Sequence, residues 1–201
     1  KDKITAIAVH NSEEDEYYCL VLDEKKKLSL KSKDNVIIES FETEFDLLQR
    51  FFLLYLDWKP TIITGWNSDS FDMPYVYNRA CKIVGSDIAK LISPSCLDYL
   101  ALYKLFTYTQ LSSYRLDAVA EHELSEKKVE YSGTLNDLYE NNIDKFVEYN
   151  IHDVRLVKRL HDKLDFIDMA RGVCHVGHVP YEDVYFSSRY LEGAILVYLK
   201  N

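Results

Sequence analysis

A chain of 201 residues with 47% hydrophobic and 28% charged side chains is long enough for one domain with a sizeable core, and its balance is that of an ordinary globular protein. The net charge of −9 argues against a protein that grips duplex nucleic acid through phosphate contacts alone, but not against an enzyme that takes a strand end into an acidic, cation-filled pocket. No apolar run approaches a membrane span, KDKITAIAVH lacks signal-peptide architecture, and four scattered cysteines (Cys19, Cys81, Cys96, Cys174) form no CxxC pair, which predicts reduced, mostly buried thiols in a cytosolic protein.

In chain order, residues 4–10 (ITAIAVH) read as a strand and residues 17–22 (YYCLVL) as its hairpin partner. The acids between them, Glu13, Glu14, Asp15 and Glu16, fit a solvated turn better than a metal site, because neighbours on a tight loop point in different directions. Lys25, Lys26 and Lys27 with Lys31 and Lys33 read as an exposed loop or edge, with phosphate contact the lesser alternative. Val36-Ile37-Ile38 is a short apolar run. Thr43 is placed to cap a helix whose apolar positions, Phe45, Leu47, Leu48, Phe51, Phe52 and residues 54–56, nearly encircle it, which predicts burial against a sheet.

Residues 60–80, PTIITGWNSDSFDMPYVYNRA, are the most informative stretch. The β-branched run 61–64 predicts a buried strand ending at Gly65; a polar loop follows, and Phe71-Asp72-Met73-Pro74 opens a helix that Gly85 closes. A carboxylate at a strand–loop–helix junction is how α/β folds present a reactive group at a sheet's carboxyl edge. The helix dipole and free N–H groups should keep Asp72 ionised, which suits a divalent cation, although a plain N-cap aspartate reads the same way.

Ser93-Pro94-Ser95 marks a turn, and Cys96-Leu97-Asp98 a strand end with a buried acid that reads as structural. Ser112 or Ser113 is expected to cap a helix containing Leu116, Val119 and Ala120. A charged loop spans 125–133. A long helix begins near Asp144, and the chain ends in a helix over 190–199. Strands early and helices late predict an α/β class with one mixed sheet. Cys174-His175-x-x-His178 has ligand-type side chains but no partner cluster, so no zinc site is expected there. In the long helix, Tyr149 and Asp153 stand at i and i+4 on one face, pairing a hydroxyl that can orient water with a metal-binding carboxylate. A surface tyrosine–aspartate pair has the same spacing.

Taken together, GWNSDSFDMPYVYNR and YNIHD resemble the second (Asn-x3-Phe-Asp) and third (Tyr-x3-Asp) motifs of the proofreading 3′→5′ exonuclease domain of family B DNA polymerases, T-even bacteriophage type. LDYLALYKLF, SYRLDAVAEHE, KVEYSG and HVPYEDVYFSSRYLEGAILVYLK are similar to the phage polymerases in the same order, so the resemblance covers nearly the whole chain. It implies a ribonuclease-H-like fold, a mixed sheet flanked by helices, and two-metal phosphodiester hydrolysis with Mg2+ or Mn2+. By the same resemblance, Asp153 would ligate the metal that activates water, Asp72 would serve the second metal, and Tyr149 would hydrogen-bond the nucleophilic water. Asn67 and Phe71 would touch the terminal nucleotides, and Lys128 would lie near the scissile phosphate.

The family's first motif, Asp-x-Glu, has no match in this chain: neither Asp15-Glu16 nor Asp23-Glu24 has the intervening residue. The expectation is therefore an N-terminally truncated exonuclease domain over 1–180, lacking the first-motif strand, and a helical segment over 181–201 leading toward a polymerase domain. As a fragment it is expected to bind metal weakly and to be inactive alone. Its expected partners are a single-stranded or frayed 3′ end of DNA, the remainder of a polymerase chain and a second copy of itself, in a bacterial or phage-infected cytoplasm. The alternative is a degenerate module that binds single-stranded DNA without cutting it.

Overall fold

In a computed structural model of the chain, the described residues are 2–89, 95–126 and 133–200. The architecture is mixed α/β. Strands β1 (Ala6–Asn11) and β2 (Glu16–Leu22) form the expected antiparallel hairpin, in register from Ala6 opposite Val21 to Asn11 opposite Glu16. The acids of its turn are exposed, and Asp15 bonds back to His10 across 2.9 Å. Strand β3 (Val36–Phe41) joins the far edge of β2 in parallel. Strand β2 is central and covered on both faces, so its side chains alternate between two cores. Tyr18, Leu20 and Leu22 enter one; Cys19 and Val21 enter the other.

The first of these cores is closed by α1 (Glu44–Trp58), capped by the Thr43 hydroxyl, which accepts from the Asp46 N–H. Leu47, Leu48, Phe51, Phe52, Leu54 and Tyr55 are buried, whereas Phe45, Leu53 and Leu56 are exposed. The helix is therefore buried against the sheet, as its sequence predicts, and keeps an outer face. A sheet covers only one side of a helix laid on it. The lysine stretch is exposed, but three of its lysines are engaged: Lys25 pairs with Glu140 at 2.6 Å, Lys27 donates to the Glu140 carbonyl at 2.9 Å, and Lys26 pairs with Glu42 at 2.6 Å.

Strand β4 (Ile62–Gly65) pairs in parallel with β5 (Ser95–Asp98), from Ile62 opposite Ser95 to Gly65 opposite Asp98. Here the expectation of one mixed sheet is corrected. Among the described residues, the strands form a three-stranded sheet, β1-β2-β3, and a separate two-stranded sheet, β4-β5. Strand β1 uses one edge on β2, β4 uses one edge on β5, and among the described residues no ladder joins the two remaining edges.

The helices after β4 are α2 (Asp72–Ile83), the short α3 (Ser86–Ala89), α4 (Tyr99–Phe106), α5 (Leu116–Leu124), α6 (Leu135–Asn141), α7 (Ile143–Leu164), α8 (Phe166–Gly177) and α9 (Ser187–Lys200), with a 3-10 turn at Tyr181–Tyr185. The N-cap of α5 is Arg115, not Ser112 or Ser113; the Ser113 hydroxyl accepts from the Arg115 N–H at 3.4 Å, one step outside the helix. A Cβ on Gly193 would lie 2.0 Å from the Gly177 carbonyl oxygen, so only glycine lets α8 and α9 approach this closely.

Helix α7 ties the molecule together. Phe146, Val147 and Ile151 lie in the core with Cys19 and Val21, and Leu160 lies in another core with Leu97, Tyr99, Leu102 and Tyr103. One helix thus lies against both sheets. It runs alongside the hairpin, from Tyr139 just upstream, whose hydroxyl donates to the Leu22 carbonyl, to Arg155, whose guanidinium sits 5.2 Å from the Tyr17 ring.

Candidate active site

The loop between β4 and α2 is built around Asp98, which is 5% exposed. One Asp98 carboxylate oxygen accepts from the N–H of Leu100 at 2.9 Å and of Ala101 at 3.4 Å, capping α4. The same carboxylate reaches across to the loop, accepting from the Asn67 N–H at 3.0 Å and the Asp69 N–H at 3.4 Å. Asp98 therefore pins the loop to the end of β5, consistent with its reading as a structural acid. Asn67 adopts the left-handed conformation (φ 63°), which Asn tolerates through its short polar side chain. Trp66 anchors the loop from the other side, donating its indole N–H to the Tyr114 carbonyl at 3.1 Å.

Asp72 is the first residue of α2, and Phe71 is its N-cap without a side-chain capping bond. The carboxyl of Asp72 is held above the usual carboxylate range, first by burial among protein atoms and then by the negative charge of Asp98, although the residue as a whole is solvent-accessible and its own N–H acts in the opposite direction. The N–H at the start of α2 favours the anion as expected, while desolvation and the neighbouring Asp98 carboxylate oppose it and raise the pKa. Asp69 is likewise raised, by burial and by the charges of Asp98 and Glu182. Asp69 also borders a cleft of about 360 Å³ whose wall includes Met73, Tyr77 and Cys96.

The raised Asp72 has a testable consequence. Since its folded pKa lies above the unfolded value of 3.8, protonated Asp72 contributes stability that is complete below that value and lost as pH rises through the folded one. Asp72→Asn is expected to raise the melting temperature of the metal-free chain near neutral pH and to flatten its pH dependence above about pH 4. A lower melting temperature for the variant at neutral pH would show that the carboxylate is not crowded.

Phe71 is 64% exposed and stacks on Tyr75, with ring centroids 6.0 Å apart and planes at 17°. The four-residue spacing that makes this pair is visible in the sequence, yet Tyr75 was not among the expected site residues. Tyr149 and Asp153 are half-buried on α7, one turn apart, and Tyr149 packs against the core beneath β1 and β2. Asp153 falls between Ile151, in that core, and Val157 and Leu160, in the other. The structure thus gathers Asn67, Asp69, Asp72 and Asp98 at the end of the two-stranded sheet, and sets Tyr149 and Asp153 on the helix shared by both cores. Lys128 lies outside the described residues.

The comparisons with known proteins agree with the motifs. The chain is 34% identical to the DNA-directed DNA polymerase of Enterobacteria phage T4 over 75% of its length, and 32% identical to that of Escherichia phage RB69 over 83%. It is 33% identical to DNA polymerase 1 of Saccharolobus solfataricus over 63% of its length. The aligned region covers 20%, 21% and 16% of those proteins, so the chain spans about a fifth of the phage polymerases it matches. Residues 1–140 match the family described as DNA polymerase family B, exonuclease domain, and the chain belongs to that family.

Proposed function

We propose that the chain is the 3′→5′ proofreading exonuclease domain of a DNA polymerase, of ribonuclease-H-like fold, and removes terminal nucleotides from single-stranded or mispaired DNA. The observation that carries this reading is Asp72, presented at the carboxyl end of β4 beside Asp98 in a chain of this family. The donor set fits divalent cations: Asp72 and Asp153 offer hard oxygen ligands, and a dication would relieve the crowding that raises Asp72. When bound, Mg2+ or Mn2+ supplies charge stabilisation for an in-line displacement and lowers the pKa of an attacking water. The chain's own residues hold and orient. Tyr149 directs its hydroxyl at the water, Asn67 touches the terminal nucleotide, and Phe71, backed by Tyr75, offers a flat apolar surface to an unstacked base. Lys128 is assigned to the scissile phosphate by its motif.

The substrate is then the frayed end of a primer strand, and the partner in the intact protein is the polymerase portion that hands it over. Residues 181–201 would lead toward that portion. None of the described helices is long and apolar enough to cross a membrane. In a polymerase carrying this domain, mispaired 3′ ends should be degraded faster than matched duplex. Phe71→Ala should weaken capture of the strand end by about 1–3 kcal/mol, the worth of one stacked base. Equal digestion of matched and mispaired ends would overturn the proofreading assignment. Strand-end binding without cleavage in such a polymerase would favour a degenerate binding module.

A further inference from the structure

We infer that the junction of α7 and α8 is a binding site for one zinc-class divalent cation, held by His161, Asp165 and Asp168. Helix α7 ends at Leu164, and Asp165 turns the chain in the left-handed conformation (φ 56°) straight into α8. Its N–H closes α7 by donating to the His161 carbonyl at 2.8 Å, while its side chain makes no capping bond to α8. This joint brings the last turn of α7 over the first turn of α8. One ligand atom each from His161, Asp165 and Asp168 falls within 4.8 Å of the others.

An independent observation points to a missing ligand. Among the described residues, the buried side-chain nitrogen and oxygen atoms without a hydrogen-bond partner are Tyr99 Oη and His161 Nδ1. They belong to neighbouring rings, edge to face with centroids 6.0 Å apart. Tyr99 is fully buried, and the Phe166 N–H faces its hydroxyl oxygen without reaching full hydrogen-bond geometry. Buried polar atoms left unpaired are rare and call for a cause, an ion among them.

A histidine that ligates a metal through one nitrogen generally donates the other N–H to a nearby acceptor. With Nε2 on a cation, His161 Nδ1 carries the proton, and a small movement gives it Tyr99 Oη as acceptor. Asp168 also pairs with Arg171 at 2.6 Å, which a carboxylate with two oxygens can sustain while ligating. Asp162 is held by Lys158 at 2.7 Å and stays out of the set. One imidazole and two carboxylates favour Zn2+ over Mg2+ and Ca2+, with water completing the coordination. Asp153 lies eight residues back along α7, about 12 Å at the helical rise, so this site is separate from the proposed catalytic one.

The test uses the 201-residue chain carrying Asp72→Asn and Asp153→Asn, which removes the carboxylates of the exonuclease reading and keeps the two ideas distinguishable. Calorimetric titration with Zn2+ should show one saturable site and a raised melting temperature, with Mg2+ and Ca2+ giving neither. Asp165→Asn and Asp168→Asn, exposed changes that leave the fold intact, should each weaken binding at least about tenfold. Tyr99→Phe should weaken zinc binding about tenfold as its second-layer contact is lost. Absence of saturable Zn2+ binding would overturn the proposal, as would zinc affinity unchanged by Asp165→Asn and Asp168→Asn.

Discussion

Asp153→Ala and Asp72→Ala, each placed in a polymerase that carries this domain, are expected to cut 3′→5′ degradation of single-stranded DNA by on the order of 10²–10³-fold or more, while nucleotide incorporation stays near its original rate. Each removes a carboxylate assigned to a catalytic cation. Tyr149→Phe should cost about tenfold or less, because it deletes one orienting hydrogen bond and leaves both carboxylates in place. The two assays, exonuclease on a labelled single strand and primer extension on a matched template, separate a local loss from a general one. If Tyr149→Phe and Asp153→Ala lose activity equally, the tyrosine does more than orient water. If Asp72→Ala also stops incorporation, the damage is to the fold.

The second large effect is on stability. Glu44 opens α1 and Arg79 lies on α2; the pair is buried, with side chains 6% and 7% exposed. Arg79 Nε donates to a Glu44 oxygen at 2.8 Å, a second guanidinium nitrogen contacts the other oxygen, and the Ile4 N–H donates to Glu44 at 2.9 Å. Burial alone would raise the Glu44 pKa, but these bonds together with the Arg79 and Lys3 charges outweigh it and hold it below the usual value. A depressed folded pKa means stability present above the unfolded value of 4.5 and lost as pH falls through the folded one. Arg79→Met, which strands the carboxylate, should destabilise the chain by about 3–5 kcal/mol at neutral pH, and the deficit should shrink in acid. The double variant Glu44→Gln with Arg79→Met should recover much of the loss, since no buried charge is then left unpaired. Denaturant melts at two pH values decide this; a deficit that does not shrink in acid would show that Arg79 acts through packing rather than charge.

How far the sequence could be read depended on how local the cause was. The hairpin, the Thr43 cap and the run from β4 into α2 rest on neighbours in the chain, and all three appear in the structure. Helix ends were harder, because α1, α5, α7 and α8 close on Lys59, Ser125, Asp165 and His178 in left-handed conformations where glycine would have been the signal. The break at Asp165 was missed for that reason, although Phe166, Ala170 and Cys174 repeat at helical spacing beyond it. The rise in the Asp72 pKa could not be foreseen from its helix, since burial causes most of it and the Asp98 charge comes from another strand. Nor does any local pattern announce that β1 and β4 remain in separate sheets. In contrast, the family is legible in two short motifs, because the spacing of Asn67 to Asp72 and of Tyr149 to Asp153 is fixed by one turn and one helix face.

The shared helix also fixes how the protein comes apart. At 22 residues, α7 is about 33 Å long, and it gives one stretch of its apolar surface to each of two cores that, among the described residues, share no strand ladder. An isolated amphipathic helix is marginal in water, so α7 depends on both. Loss of either core withdraws support from the helix and, through it, from the other core. Unfolding should thus be a single cooperative event despite the divided sheet. In native-state hydrogen exchange, the amides of residues 146–160 should then exchange only with global opening, while the outer edges of β1 and β4 exchange by local fluctuation.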